Sequence, residues 1–281
     1  MPTFSTTDAN VSYDIVGDGP PLVLLHGFPQ TRAMWAAVAD QLKDNFTLVM
    51  PDLRGYGQST AKNPLAIESF SFRAMASDVS SLMGHLGIDR YHLAGHDRGA
   101  RVAHRLVLDR PDAVERLTLM DILPTSYLLE NWNSKVSMAY WHWSFLALPA
   151  PFPEETILEN PDRFFETCLT SWGGAQISSF EAIEEYRAAW RRAEVVKAMV
   201  NDYRAAVSID SDNDHADQGR NISCPTQIIM GADGIMNRLF DVSDVWSKYA
   251  DDFSMELMPG GHFFIDLHPK QTADALRAFH R

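Results

Sequence analysis

Asp97 is the residue of this chain whose type and setting most clearly indicate chemistry. It is the third residue of Gly95-His96-Asp97-Arg98-Gly99, which stands between a short apolar run and a helical pattern beginning at Ala100. The spacing matches a nucleophile elbow, G-x-S-x-G, with aspartate in the serine position. Because a carboxylate is ionised at neutral pH, it attacks a saturated carbon without a base to activate it. The pattern therefore predicts that Asp97 forms an ester with its substrate.

A histidine and an acid that could hydrolyse such an ester follow later in the sequence. His262 lies in the glycine-rich segment of residues 259–264, and we expect it to deprotonate the attacking water. Asp121 and Asp233 each follow an apolar run, and both are candidates for the acid that orients this histidine. With either of them, the order of nucleophile, acid and histidine matches that of triads built around this kind of elbow.

The segment His26-Gly27-Phe28-Pro29 adds a third part of the same machinery. It follows the apolar run at residues 21–25, a position from which sites with this elbow take one backbone N–H of an oxyanion hole. The second N–H comes from the residue after the nucleophile, which here is Arg98. We therefore expect the Phe28 and Arg98 amides to stabilise the oxyanion that forms when water attacks the ester.

The elements that must hold these residues are visible as an alternation of short apolar runs with amphipathic stretches. The apolar runs have the length of buried strands and lie at residues 21–25, 46–50, 91–94, 117–120 and 226–230. The stretches between them predict helices, so we expect an α/β fold with a mainly parallel sheet flanked by helices. Residues 124–215 contain helix formers and no convincing strand, which predicts a helical cap inserted into a core of residues 1–123 and 216–281.

Composition narrows the classes of function. Of 281 residues, 46% are hydrophobic and 22% are charged, which is enough apolar material for a large folded core. Acidic residues outnumber basic ones by 37 to 24, and the net charge of -13 argues against a nucleic-acid partner. The two cysteines do not suggest a disulfide framework, and no segment suggests a membrane span or a leader peptide. We expect a cytoplasmic protein with no membrane partner, metal or organic cofactor.

Four groups of residues together carry a resemblance to a known family. They are His26-Gly27-Phe28-Pro29-Gln30-Thr31, residues 95–101, Asp121-Ile122-Leu123-Pro124-Thr125, and His142-Trp143 with Gly261-His262-Phe263-Phe264. On these motifs the chain resembles the α/β-hydrolase superfamily over essentially its full length, and within it the fluoroacetate and haloacetate dehalogenases. Haloalkane dehalogenases and epoxide hydrolases usually have tryptophan where this chain has Arg98. The resemblance implies an α/β-hydrolase fold and favours Asp121 over Asp233 as the acid.

The resemblance also implies a reaction, the hydrolysis of a short 2-haloacid such as a haloacetate to the 2-hydroxy acid and halide. Arg98 and Arg101 lie three residues apart at the start of a helix, so we expect both to lie beside Asp97 and to pair with the substrate carboxylate in bidentate fashion. His142 and Trp143 are implied as halide ligands through their ring N–H groups. The implied partners are the small anionic substrate, water and, in a homodimer, a second copy of the chain.

One implied halide ligand departs from the family pattern. Related enzymes usually add a tyrosine shortly after a D-Y-R-A stretch, but here Asp202-Tyr203-Arg204-Ala205 continues to Ser208 without one. This leaves open whether the site accepts fluoride or only easier leaving groups. Ser208 could donate less well than a tyrosine, and Tyr203 or Tyr140 could compensate from another direction.

Two other functions compete with dehalogenation. An epoxide hydrolase would use the same nucleophile and histidine but needs tyrosines as acids, for which Tyr140 and Tyr186 are available. Two arginines beside the nucleophile would then have no carboxylate to hold. A non-catalytic ligand receptor on a hydrolase scaffold is the other alternative, and the complete set of catalytic residue types argues against it.

Overall fold

The fold is built around a sheet of nine strands, in a computed structural model that describes residues 2–172 and 174–281. The strands are β1 Thr3–Ser5, β2 Ala9–Val16, β3 Pro21–Leu25, β4 Thr47–Pro51, β5 Thr60–Ala61, β6 Tyr91–His96, β7 Val114–Met120, β8 Thr226–Gly231 and β9 Phe253–Met258. Their order across the sheet is β1-β2-β4-β3-β6-β7-β8-β9, and β5 pairs with β2. From β4 to β9 all neighbours run parallel, while β2 is antiparallel to its partners. The predicted α/β fold with a mainly parallel sheet is confirmed.

The central strands are continuous apolar runs in the sequence because both of their faces are covered. Every residue of β6 and of β8 is buried, and only the first residue of β3 is partly exposed. The register pairs Leu25 of β3 with Gly95 of β6, and His96 of β6 with Met120 of β7. The carboxyl ends of these three strands therefore lie side by side, and so do the loops that follow them.

Seven helices belong to the parts of the chain that carry the strands. They are α1 Ala36–Leu42, α2 Phe72–His85, α3 Arg98–Asp109, α12 Ile235–Leu239, α13 Val242–Trp246, α14 Phe264–Leu267 and α15 Pro269–His280, with 3-10 turns at Arg32–Trp35 and Ile67–Phe70. Helix α2 begins where the Ser71 side chain accepts from the Ala74 amide, a standard N-cap. Helix α3 packs on α2 and on β6 and β7, which fixes its first residues beside the strand ends.

Between β7 and β8 the described chain is helical, and residues 125–216 are called the helical segment below. It contains α4 Thr125–Glu130, α5 Ser134–Ala139, α6 Trp141–Leu146, α7 Phe152–Glu159, α8 Pro161–Ser171, a 3-10 turn at Ile177–Ser179, α9 Ile183–Trp190, α10 Ala193–Ala205, a π-turn at Ala206–Asp210 and α11 Ser211–Ala216. Helix α10 packs against the 3-10 turn that precedes α2, and the π-turn packs against α2 itself. No helix in the described ranges is long and apolar enough to cross a membrane.

Candidate active site

The turn between β6 and α3 holds Asp97 in a strained backbone conformation. Its φ of 49° and ψ of -116° lie outside the regions that residues with a Cβ atom prefer. The flanking glycines make the turn possible. A Cβ atom at Gly95 would lie 2.4 Å from the Gly99 oxygen, and one at Gly99 would lie 2.4 Å from the Leu25 oxygen. The glycine spacing seen in the sequence is thus a requirement of close backbone packing.

The carboxylate of Asp97 is buried and ionised. Burial raises the pKa of Asp97, but the charge of His262 and other favourable interactions outweigh burial and lower it to about 2. Its Oδ1 accepts a hydrogen bond of 2.9 Å from the Phe28 backbone amide. The Arg98 amide is the first of α3, and the first N–H groups of a helix have no acceptor within the helix. Of the two amides predicted for the oxyanion hole, Phe28 in the loop after β3 thus contacts the Asp97 carboxylate, and Arg98 directly follows Asp97 in the elbow.

His262 lies between Asp97 and Asp121. Its Nδ1 donates to Asp121 Oδ2 across 2.6 Å, and its Nε2 stands 3.8 Å from Asp97 Oδ2. Burial lowers the pKa of His262, but the hydrogen bond and the charge of Asp121 outweigh burial, so the pKa is raised above 6.5. Because Nδ1 carries the proton donated to Asp121, Nε2 is the nitrogen that can take a proton from water.

Asp121, rather than Asp233, is the acid that the structure brings to His262. Its second oxygen, Oδ1, accepts a hydrogen bond of 2.9 Å from the Gly231 amide, so the carboxylate is held from two sides. Asp233 is exposed on the loop after β8, where its own backbone amide donates to the Gly260 oxygen. The geometry thus agrees with the choice that the family resemblance favoured.

The backbone of His262 is held by two residues that the sequence did not single out for this purpose. His96 Nε2 donates to the His262 oxygen over 2.9 Å, and the two rings lie 4.6 Å apart. Burial lowers the pKa of His96 to about 3, so this histidine is a neutral donor at physiological pH. On the other side, the His262 amide donates to the Trp172 oxygen over 2.9 Å.

Arg101 is a buried cation with no carboxylate partner among residues 2–172 and 174–281. Its Nη1 donates to the Leu123 oxygen at 3.1 Å and to Thr125 Oγ1 at 2.8 Å, while its Nε has no hydrogen-bond partner. Burial, followed by the charge of Arg98, lowers the pKa of Arg101 to about 10, so it stays charged at neutral pH. A buried charge without a counter-ion favours the binding of an anion.

Arg98 corrects one expectation, since the structure does not leave its whole guanidinium fork free for a substrate. Its Nε donates to Asp202 Oδ2 at 2.9 Å, and its Nη2 donates to the Asp202 backbone oxygen at 3.0 Å and to Asp202 Oδ1. The same carboxylate accepts a hydrogen bond of 2.6 Å from the Tyr56 hydroxyl. Only Nη1 of Arg98 is left without a partner in the described chain. Bidentate pairing of Arg98 with a substrate carboxylate is therefore wrong, because Asp202 already occupies its Nε and Nη2.

The two residues implied as halide ligands lie in a buried aromatic cluster near Asp97. The ring of His142 is 5.8 Å from that of Phe28, whose amide binds Asp97, and 5.4 Å from that of Tyr203. The ring of Trp143 lies 4.8 Å from the Arg101 guanidinium carbon. Burial lowers the pKa of His142 well below 6.5, so its imidazole is neutral and carries one N–H.

Ser208 is not part of this cluster, which corrects the interpretation of residues 202–208. It is exposed on the π-turn, and its hydroxyl donates to the Arg204 oxygen at 2.7 Å. Tyr203 lies in the cluster instead, fully buried, with a hydroxyl that has no hydrogen-bond partner within the described ranges. Of the alternatives that the sequence left open, Tyr203 is thus one that the structure brings to His142 and Trp143.

Two further residues take positions that the sequence left open. Tyr186, one of the two tyrosines that an epoxide hydrolase could use as an acid, donates its hydroxyl to Asp266 Oδ1 at 2.7 Å. Tyr140 lies in the aromatic cluster, with its ring 5.8 Å from that of His142. In the described part of the chain, no three His, Cys, Asp or Glu side chains are grouped so as to hold a metal ion.

Comparison with known proteins agrees with this geometry. The sequence model of the α/β hydrolase fold matches residues 20–269 of the chain. The chain belongs to the α/β-hydrolase family. A fluoroacetate dehalogenase from Burkholderia sp is 45% identical over 97% of this chain and 90% of its own length. A soluble epoxide hydrolase from Corynebacterium sp. (strain C12) is 31% identical over 92% of this chain and 79% of its own length. The predicted resemblance to α/β hydrolases and fluoroacetate dehalogenases is confirmed.

Solved structures show the same fold. The crystal structure of ALR0039 from Nostoc sp PCC 7120 superimposes with a TM-score of 0.96 at 40% identity, and covers 99% of this chain and 96% of that one. The epoxide hydrolase CorEH superimposes with a TM-score of 0.86 at 26% identity, over 99% of this chain and 98% of that one. The family therefore contains both dehalogenases and epoxide hydrolases, the two enzymatic functions that the sequence analysis considered.

Proposed function

We propose that this protein hydrolyses short 2-haloacids, haloacetates among them, to the 2-hydroxy acid and halide. The observation that carries the proposal is the buried guanidinium of Arg101, which has no carboxylate partner in the described chain and feels the charge of the ionised Asp97 carboxylate. A substrate that brings its own carboxylate compensates the buried charge of Arg101 and places its reacting carbon before the nucleophile. The 45% identity to a fluoroacetate dehalogenase supports the same substrate class.

The first chemical step is a displacement at the carbon that carries the halogen. Oδ1 of Asp97 is held by the Phe28 amide, so Oδ2 is the oxygen that attacks. A bond forms between Oδ2 and the carbon while the carbon–halogen bond breaks, and the halide leaves with the bonding electron pair. Arg101 holds the substrate carboxylate during this step, with the unpaired Nη1 of Arg98 as a second donor.

The second step hydrolyses the ester. His262 Nε2 takes a proton from water as the water attacks the carboxyl carbon of Asp97, and Asp121 stabilises the resulting imidazolium. The negative charge that develops on Oδ1 is stabilised by the Phe28 and Arg98 amides. The intermediate expels the hydroxy acid, which takes the proton from His262. Asp97 is left as an acid and releases its proton to solvent, so that the net products are hydroxy acid, halide and one proton.

The halide site in this proposal consists of His142, Trp143 and Tyr203. Ring N–H groups and a phenol O–H are donors of the kind that a small anion needs when it leaves its hydration shell. The donor in place of the missing tyrosine is the buried, unpartnered hydroxyl of Tyr203, one of the two alternatives that the sequence left open. We therefore include fluoroacetate among the substrates.

The helical segment supplies these halide donors and Asp202, and we propose that it acts as a cap over the carboxyl ends of the strands. Water and a small anionic haloacid are the partners that the site needs. A homodimer and a cytoplasmic location stay predictions from the sequence.

Ion chromatography of fluoride and chloride released from fluoroacetate and chloroacetate tests the proposal. Both halides should appear with the wild-type protein, and Asp97→Asn should lower release by at least about a thousandfold, because the nucleophile is lost. Asp233→Asn is the matched control, since it removes an equivalent charge from an exposed loop, and it should keep wild-type rates. Release that survives Asp97→Asn in a folded protein would refute the assignment of the nucleophile.

A further inference from the structure

Two tyrosines of the helical segment lie close to Asp97 and keep their protons. Tyr203 is fully buried, and its hydroxyl has no partner in the described part of the chain. Burial and the charge of Asp97 raise the pKa of Tyr203 well above 10. Burial and the charges of Asp121 and Asp97 do the same for Tyr140. Both side chains are therefore neutral phenols that can donate a hydrogen bond or a proton.

A halide does not use the full capacity of such a phenol. It leaves as a stable anion, for which hydrogen-bond donors such as the N–H groups of His142 and Trp143 are suitable. A phenol in the same cluster can also donate its proton. Only a leaving group more basic than a halide would accept that proton. The alkoxide that forms when an epoxide ring opens is a leaving group of that kind, and its stabilisation requires a positioned acid.

The unpaired nitrogens of the two arginines restrict which epoxide fits. Arg101 Nε and Arg98 Nη1 are buried without partners in the described ranges. A neutral epoxide would leave the charge of Arg101 without a counter-ion and Nη1 of Arg98 without an acceptor, whereas an epoxide that carries a carboxylate would supply both. We propose that this site also hydrolyses short 2,3-epoxy acids, of which glycidate is the simplest, to 2,3-dihydroxy acids. This inference rests on the proposed function, because it uses the same nucleophile and the same anion site.

An epoxy acid resembles a haloacid at the atoms that react. In both, the leaving atom is bonded to the carbon next to the carboxylate. With the carboxylate on Arg101, we expect that carbon to face Asp97 and the leaving atom to lie beside Trp143 and Tyr203. The ring of Tyr203 lies 5.1 Å from that of Phe28 and 5.3 Å from that of Trp143, so aromatic groups close the site around a short substrate.

The reaction balances without a co-reactant other than water. Oδ2 of Asp97 bonds to the carbon next to the carboxylate as the ring C–O bond breaks, and Tyr203 gives its proton to the ring oxygen. Water then attacks the Asp97 carboxyl carbon and gives a proton to His262, which passes it to the departing hydroxyl. Asp97 is left as an acid, and the proton that it releases restores Tyr203. The sum is epoxy acid plus water to dihydroxy acid, with no change of oxidation state.

The wild-type protein tests the inference directly. Glycerate formed from racemic glycidate is measured by mass spectrometry, with chloroacetate and the neutral epoxide propylene oxide in parallel. Glycidate should be hydrolysed, chloroacetate should inhibit it competitively, and kcat/KM for propylene oxide should be lower by at least about 100-fold because the carboxylate contact is missing. Multiple turnover in ¹⁸O-labelled water should place the label on the carbon next to the carboxylate.

Two phenylalanine variants distinguish proton donation by Tyr203 from a general disturbance of the site. Tyr203→Phe should lower kcat for glycidate by about 100-fold, the usual cost of losing a donor to a developing oxyanion, and should lower kcat for chloroacetate by less than about tenfold. Tyr186→Phe is the matched control, because that hydroxyl donates to Asp266, and both rates should stay at wild-type values.

The outcomes distinguish the two proposals. Chloride release without glycerate formation would overturn the epoxy-acid activity and leave dehalogenation standing. Loss of both activities in the wild-type protein would overturn the proposed function itself. Equal rates with propylene oxide and glycidate, or equal effects of Tyr203→Phe on glycidate and chloroacetate, would also overturn the inference.

Discussion

Replacing Arg101 by methionine should stabilise the folded protein and lower its activity. Burial and the charge of Arg98 lower the pKa of the Arg101 guanidinium from its ordinary value to about 10. Because folding lowers the pKa of a cation, the charged form costs folding free energy at every pH below the folded-state value. The difference corresponds to about 3 kcal/mol, at about 1.4 kcal/mol for each pKa unit.

Methionine has a similar length and carries no charge, so it removes this cost. It also leaves the Leu123 oxygen and Thr125 Oγ1 without their donor, at about 1 kcal/mol for each hydrogen bond. The free energy of unfolding should therefore rise by about 1 kcal/mol. Loss of a buried charged contact to the substrate costs about 2–5 kcal/mol, so kcat/KM for chloroacetate should fall by about 30- to 5,000-fold.

Urea unfolding and chloride release measure the two effects, and Arg105→Met is the matched control. Arg105 lies one turn later on α3 and pairs with Asp109 at 2.6 Å and with Asp217 at 2.6 Å. Its replacement should destabilise the protein and leave chloroacetate turnover unchanged. If Arg101→Met destabilised the fold as much as Arg105→Met, or kept its turnover, the interpretation of Arg101 as an uncompensated anion-binding charge would be wrong.

Three other results are expected. Ester hydrolysis should accelerate with rising pH through a midpoint above 6.5, because His262 is a base only when neutral and its pKa is raised. A kcat that does not change with pH would contradict this. Asp202→Asn should lower the free energy of unfolding by about 3–5 kcal/mol in urea, since Arg98 loses the carboxylate that pairs with it, whereas Tyr56→Phe should cost only about 1 kcal/mol. With chloroacetate, the Asp121→Asn variant should accumulate as ester-modified protein, which intact mass analysis detects. If the variant shows only the unmodified mass, as the wild-type protein does, Asp121 does not assist ester hydrolysis.

The central strands and the elbow could be predicted from the sequence because their signals are local. Strands β3, β6 and β8 are buried on both faces and so appear as unbroken apolar runs. The edge strands gave no such signal. In β9 only the last residue is buried, and in β1 none of the three residues is, so neither strand has the run of buried apolar residues on which the prediction depended.

The missed parts of the site depend on contacts between distant segments. Asp202 pairs with Arg98 from a position 104 residues later in the chain, and nothing around Asp202 in the sequence indicates a buried partner. The sequence left Ser208, Tyr203 and Tyr140 open as donors to the halide and could not choose among them. The π-turn at Ala206–Asp210 exposes Ser208, while Tyr203 on α10 turns into the aromatic cluster. A helical pattern in the sequence predicts which residues share a face of the helix. It does not predict which distant residues that face contacts.

A single-turnover experiment in ¹⁸O-labelled water tests the role of Asp97 most directly. Wild-type protein in excess over chloroacetate is digested after one turnover, and the label is located by mass spectrometry. If Asp97 forms the ester and water attacks its carboxyl carbon, the label should appear in the peptide that contains Asp97, and the first glycolate formed should be unlabelled. Labelled glycolate together with an unlabelled peptide would mean that water attacks the substrate directly, and would contradict the ester mechanism.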